Sequence, residues 1–103
     1  MKKLYILVRA DLPVGLQIAQ ACHVTAEFVY KEERPGKAGW NNQTIVVVHV
    51  ENIQALRRYS KKAMMHGLTV TPFYESDLPI DDWTAFACYT ESNIFDRLSL
   101  IGS

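Results

Sequence analysis

The chain opens with a continuous apolar run, Leu4-Tyr-Ile-Leu-Val8, rich in β-forming residues. Such a run suits a central strand covered on both faces. Asp11-Leu-Pro-Val-Gly15 interrupts it, and Pro13 and Gly15 supply turn chemistry. From Leu16 the period changes: Ile18, Cys22, Ala26 and Val29 form an apolar stripe at helical spacing, which predicts a helix to about Glu32. Arg34-Pro-Gly-Lys-Ala-Gly-Trp-Asn-Asn42 is a loop by composition, and its Trp40 is expected to fold back onto the body of the protein. Thr44-Ile-Val-Val-Val-His-Val50 reads as a second buried strand. Asn52 is a good N-cap for a second helix whose Ile53, Leu56, Ser60, Ala63 and Met64 share one side. His66 suits the last turn of that helix and Gly67 its end. Leu68 to Tyr74 reads as a third strand, with Pro72 pointing to an edge or an early end. Glu75 to Asp82 is an acidic loop, Trp83 to Thr90 a fourth strand, and Asn93 to Leu98 one turn of helix.

The order β-α-β-α-β-β is an α/β architecture of three layers, a mixed four-stranded sheet flanked by helices. The first two crossovers are expected to be right-handed. About eight residues join the last two strands, too few for a helical crossover, so that pair is expected to be antiparallel.

Composition narrows this picture. The 103 residues suffice for one domain, 1–103, and 49% apolar with 21% charged residues is ordinary for a globular chain. Formal net charge is zero, which argues against gripping nucleic acid by bulk charge alone. Cys22 and Cys88 have no CxxC spacing and no His/Cys cluster, so they read as buried free thiols of a reducing compartment, with no zinc site. Met-Lys-Lys before Leu4–Val8 imitates a signal peptide, but the run is short and Arg9 and Asp11 end it. No stretch approaches the ~20 apolar residues of a membrane span, so the expectation is a cytoplasmic protein without a membrane partner.

Three constellations carry candidate chemistry. Gln20, His23 and Glu27 fall at i, i+3 and i+7 and project from one side of the first helix, just past a buried strand, where open α/β sheets place ligands. There Gln20 offers a donor and an acceptor, His23 a proton shuttle, and Glu27 a group to orient the imidazole. The acidic loop brings Glu75 or Asp77 as a general base for water. Arg57, Arg58, Lys61 and Lys62 make one basic face of the second helix, a candidate contact for a phosphate backbone, to which Lys2 and Lys3 can add. Each also has a plain reading as a solvated helix face or turn. His49 reads as a hydrogen-bonded core or rim residue. No Gly-rich phosphate loop, serine elbow or metal-ligand spacing is present in the sequence.

Arg9, Asp11-Leu12, Gly15 and Ala19-Gln20-x-x-His23 resemble the first strand–helix junction of the type-2 peptidyl-tRNA hydrolases, which reads roughly Arg-x-Asp-Leu, then Gly-Lys-Ile-Ala-Ala-Gln-x-x-His-Ala. Gly67-Leu68 and the apolar run after Thr84 are similar to the family as well. The resemblance implies hydrolysis of the ester between a peptide and the tRNA 3′ end, with no metal or organic cofactor. It implies that Gln20 orients water or the ester carbonyl, that Glu75 or Asp77 is the acid/base, and that His23 supports Gln20 or moves a proton. Gly15 and Thr84, with the basic face of Arg57, Arg58, Lys61 and Lys62, would then contact peptidyl-tRNA. Leu16 stands where the family has lysine, and the loop before Gly15 is about two residues shorter. The family's Arg-Asp-Ala-Gly segment appears as Tyr74-Glu-Ser-Asp77. An apolar Leu16 cannot supply a cation to a phosphate or a developing oxyanion, a loss of about 3 kcal/mol or a hundredfold in rate. Two readings therefore stay open: a hydrolase, and an inactive binding module on the same fold for RNA, a small molecule or a protein. A homodimer is a third expectation, through the antiparallel β pair or the apolar tail Leu98 to Ile101.

Overall fold

The computed structural model describes residues 1–77 and 79–101; Leu78 of the expected acidic loop and residues 102–103 lie outside them. Strand β1 (Lys3–Arg9) is the centre of a mixed sheet with β2 (Ile45–Val50), β3 (Thr71–Glu75), β4 (Asp82–Thr90) and β5 (Ser99–Leu100) in the order β3-β4-β1-β2-β5. β1 pairs in parallel with β2 from Leu4↔Ile45 to Arg9↔Val50, and antiparallel with β4 from Lys3↔Thr90 to Val8↔Ala85. β3 pairs antiparallel with β4, as the short connection predicts.

The period-2 alternation of β1 divides the core in two. Leu4, Ile6 and Val8 face helix α1 (Val14–Phe28), meeting Ala21, Val24 and Phe28. Tyr5 and Leu7 face helix α2 (Ile53–Met65), meeting Ala55, Leu56 and Ala63. The helices thus flank both faces of the sheet. Trp40 folds back as expected: it is buried, meets Phe28 edge-on at 6.0 Å, and its indole N–H donates to the Thr44 carbonyl at 3.1 Å. Asn52 caps α2 by accepting from Ala55 N–H at 3.0 Å, and Gly67 ends that helix at φ 73°.

Several expectations are corrected. Among the described residues the sheet has five strands, because Ser99–Leu100 pairs with His49 and Val48 at the far edge. The tail is therefore held within its own chain, and Asn93–Leu98 forms hydrogen-bonded turns that bury Phe95, not a turn of helix. α1 starts at Val14 and passes into a π-helical turn at Val29–Glu33. Its buried face is Gln17, Gln20, Ala21, Val24 and Phe28, so the apolar stripe predicted for the interior lies outside, with Ile18 54% exposed and Cys22 exposed. The physical reason is that both glutamines find hydrogen-bond partners inside the fold, which offsets the cost of desolvating an amide. Met64 also points outward, and β3 begins only at Thr71 on the edge position that Pro72 suits. Cys88 is fully buried, and burial pushes its thiol up to about 11. His49 Nε2 is buried without a hydrogen-bond partner among the described residues, so the expected bond is not made by that nitrogen.

Candidate active site

The parallel strands β1, β2 and β3 end together at Arg9, Val50 and Glu75, the end of an open sheet where ligands gather. There side-chain hydrogen bonds tie down the loop to α1. Arg9 donates twice to Asp11, at 3.0 and 2.9 Å, and once to the Trp83 carbonyl at 3.0 Å, tying the loop to β4. Its Asp11 partner holds the guanidinium above its ordinary pKa. Pro13 cannot cap α1 with a side chain, and the Gln17 amide instead donates back to the Leu12 carbonyl at 2.7 Å.

One turn further along α1, Gln20 is 1% exposed. Its Nε2 donates to Glu75 Oε1 at 3.0 Å, and its Oε1 accepts from the Thr84 hydroxyl at 2.7 Å. Both ends of the amide are engaged, so its orientation is fixed: carbonyl toward Thr84, amino group toward the carboxylate. Gln20 is therefore no open platform for substrate. It connects a fully buried hydroxyl to a half-buried carboxylate.

Thr84 reaches Gln20 because of a β-bulge. Phe73 pairs with Ala85, and Tyr74 pairs with Trp83, so Thr84 is an extra residue in β4. Without it Trp83 and Ala85 would share a face. Instead Trp83 packs with the α2 core and Ala85 with the α1 core. A bulge re-aims a side chain in this way, here toward α1.

His23 takes the next rung between α1 and β3. Its ring lies parallel to Phe73, with centroids 4.9 Å apart and an interplanar angle of 4°. It does not bond Gln20, and Glu27 pairs with Lys31 at 3.1 Å instead of orienting the imidazole. The polar stripe is thus three separate environments. Asp77 is exposed and its carbonyl accepts from Ile80 and Asp81 N–H groups in a turn, so the carboxylate that meets α1 is Glu75.

Gly15 is the second residue of α1, and a Cβ there would meet open space. The chain itself does not require glycine at this position. Leu16 beside it is partly exposed. The basic residues sit on α2, across the sheet from Gln20. Arg57 pairs with Asp82 at 2.9 Å, and Asp82 lies opposite Glu75 in the ladder, so this end of α2 shares the site's edge. Arg58 lies over the Tyr59 ring at 5.8 Å, and Lys61 and Lys62 are exposed. Lys2 lies over Tyr89 at 5.2 Å. Among the described residues no three His, Cys, Asp or Glu side chains stand together as a metal site, and no helix is long and apolar enough to cross a membrane.

Sequence reasoning missed Gln17 and Phe73. The signal for Phe73 was present: Phe73 and Glu75 at i, i+2 on a strand share a face, as Gln20 and His23 at i, i+3 do on a helix.

A family model described as peptidyl-tRNA hydrolase PTH2 matches residues 2–87. That span includes Gln20, His23, Phe73, Glu75 and Thr84 and the basic run of α2. Among solved structures, a protein of unknown function from Agrobacterium tumefaciens superposes with a TM-score of 0.69, covering 96% of each chain at 15% identity. That likeness shows the fold. No curated protein matches the sequence.

Proposed function

The chain belongs to the peptidyl-tRNA hydrolase PTH2 family, and from that premise we propose that it hydrolyses the ester joining a peptide to the 3′ end of tRNA. The observation that carries the reading is the Thr84–Gln20–Glu75 chain, which runs from a buried hydroxyl to a carboxylate at the ligand-binding end of the sheet. Glu75 takes a proton from water as the water oxygen attacks the ester carbonyl. As the carbon–oxygen bond to the ribose breaks, the carboxylic acid returns that proton to the leaving ribose oxygen. Gln20 is a positioning residue here, because its amide is spent on Glu75 and Thr84 and acts on the substrate only through the carboxylate. Gly15 leaves room for close approach of the substrate backbone, and Leu16 borders it with an apolar surface.

The partner in this reading is peptidyl-tRNA, met in the cytoplasm. Arg58, Lys61 and Lys62, with Arg57 at the site's edge, are the groups proposed to contact its phosphates. Neither a metal nor an organic cofactor takes part in the proposed steps.

The test is single-turnover hydrolysis of an N-acetyl-aminoacyl-tRNA beside Glu75→Gln. A positioned base contributes about 10²–10⁴-fold, so that variant is expected to lose a rate of this order with tRNA binding intact. tRNA binding without any hydrolysis by the wild-type protein would assign the chain to the second reading, an inactive binding module on the same fold.

We also propose a homodimer, on a different surface from the tail. Ile18, Cys22, Ala26, Val29 and Tyr30 of the first helical segment and Ile45 of β2 are all exposed. Together they offer a contiguous apolar face of the kind that marks an interaction surface on a small protein. Sedimentation of Ile18→Glu against wild type tests it: the wild type is expected to dimerise and the variant to stay monomeric, and a wild-type monomer at high concentration overturns it.

A further inference from the structure

We infer that the exposed ring of His23, stacked on Phe73, is a platform for a purine base, and that the base is the terminal adenine of the tRNA. This deepens the hydrolase reading and rests on it for the identity of the ligand. The imidazole lies flat on Phe73 at 4.9 Å and 4°. His23 is nevertheless an exposed residue, and among the described residues Phe73 is the one aromatic ring stacked on it. Phe73 is held by the α1-side core and by its pairing with Ala85 in β4. The outer ring thus lies on a side chain that the core holds in place. The polar residues beside it on α1 are engaged elsewhere, Gln20 with Glu75 and Thr84, and Glu27 with Lys31.

The second argument is distance. His23–Phe73 and Gln20–Glu75 are successive rungs between the same two elements. One helical turn separates them on α1, about 5 Å, and two strand residues on β3, about 6.7 Å. That is comparable to the reach of a nucleoside from the centre of its base to its 3′ oxygen. A base lying on the imidazole is therefore about one nucleoside's length along α1 and β3 from the rung that carries Glu75. Stacking on an aromatic plane is how proteins commonly hold the unpaired bases of single-stranded nucleic acid ends.

Two measurements test this. In the first, the His23 ring proton resonances are followed while adenosine 5′-monophosphate or cytidine 5′-monophosphate is added to the intact chain and to Glu75→Gln. The purine nucleotide is expected to shift those resonances upfield in both proteins, and more strongly than the pyrimidine. No shift at millimolar adenosine monophosphate overturns the inference. The second compares hydrolysis of N-acetyl-aminoacyl-tRNA by His23→Ala and His23→Phe. His23→Ala is expected to raise KM roughly ten- to hundredfold with a smaller change in kcat. His23→Phe, which keeps a ring and removes the proton, is expected to recover most of that loss. A fall in kcat in both variants with KM unchanged would make His23 a proton-transfer group and overturn the platform. Nucleotide stacking without any hydrolysis by the wild-type protein would retain the platform and remove the hydrolase reading. Hydrolysis with KM untouched in His23→Ala would do the reverse.

Discussion

Replacing Thr84 by valine keeps the shape of a fully buried side chain and deletes one hydroxyl. That hydroxyl donates to Gln20 Oε1 at 2.7 Å, and Gln20 is 1% exposed, so no bulk water can take its place. Valine itself fits an apolar site. The cost falls on the Gln20 carbonyl, left buried without its donor, and such a loss is about 1–3 kcal/mol. For a domain of about 100 residues each kcal/mol lowers Tm by roughly 4–8 °C. The amide also loses the hydrogen bond that tells its two ends apart. A flipped amide presents oxygen to Glu75, where the present arrangement donates a hydrogen bond at 3.0 Å. Activity is therefore expected to fall about tenfold in kcat, of the order of one hydrogen bond, with KM little changed. Urea unfolding followed by tryptophan fluorescence measures the first effect and steady-state hydrolysis the second. The double variant Thr84→Val/Gln20→Leu sharpens the test. Removing both partners leaves no fully buried orphan between positions 20 and 84, and the half-buried Glu75 that loses the Gln20 amide can turn to water, so the stability loss of the pair is expected to be less than the sum of the single losses. A Thr84→Val protein as stable as wild type, or strictly additive losses, would refute the network as described.

Further expectations concern other parts of the fold. Burial raises the Cys88 thiol from 9.0 to about 11, so between those pH values the unfolded chain loses a proton that the folded chain keeps. This contribution to stability is present below pH 9 and is lost on the way to pH 11, by about 2–3 kcal/mol, and Cys88→Ala is expected to flatten that part of the unfolding profile. A disulfide reagent is expected to modify Cys22 in the native protein and Cys88 only after unfolding. Gly15→Ala is expected to stabilise α1 by about 0.5–1 kcal/mol, because a Cβ meets open space there, while lowering activity if substrate approaches that backbone. Changing Arg58, Lys61 and Lys62 to glutamine is expected to weaken tRNA binding and to reduce its salt dependence, the slope falling by about 0.7–0.9 for each phosphate no longer neutralised; an unchanged slope would place the phosphates elsewhere.

Much of the fold was legible because apolar runs and turn residues report local choices. Leu4–Val8 announced the central strand, Asn52 and Gly67 bracketed α2, and the short link before Trp83 required an antiparallel pair. What stayed hidden depends on partners distant in sequence. Periodicity counts glutamine as polar, so it turned α1 toward the wrong side; only the carbonyl of Leu12 and the side chains of Glu75 and Thr84 show why Gln17 and Gln20 belong inside. A two-residue strand such as Ser99–Leu100 has no period to read. The bulge at Thr84 follows from how β3 and β4 slip by one residue, which no single strand reveals. For the site, the sequence offered Glu75 and Asp77 as equals, and the choice came from which of them α1 can reach.

The measurement that bears most directly on the central proposal is release of tRNA from N-acetyl-aminoacyl-tRNA in a single turnover, wild type against Glu75→Gln and Asp77→Asn. The expected result is hydrolysis by the wild type and by Asp77→Asn, and a loss of about a hundredfold or more in Glu75→Gln. Hydrolysis that survives in Glu75→Gln and disappears in Asp77→Asn would contradict the assignment of the base. No hydrolysis by the wild-type protein at high concentration would contradict the enzyme itself.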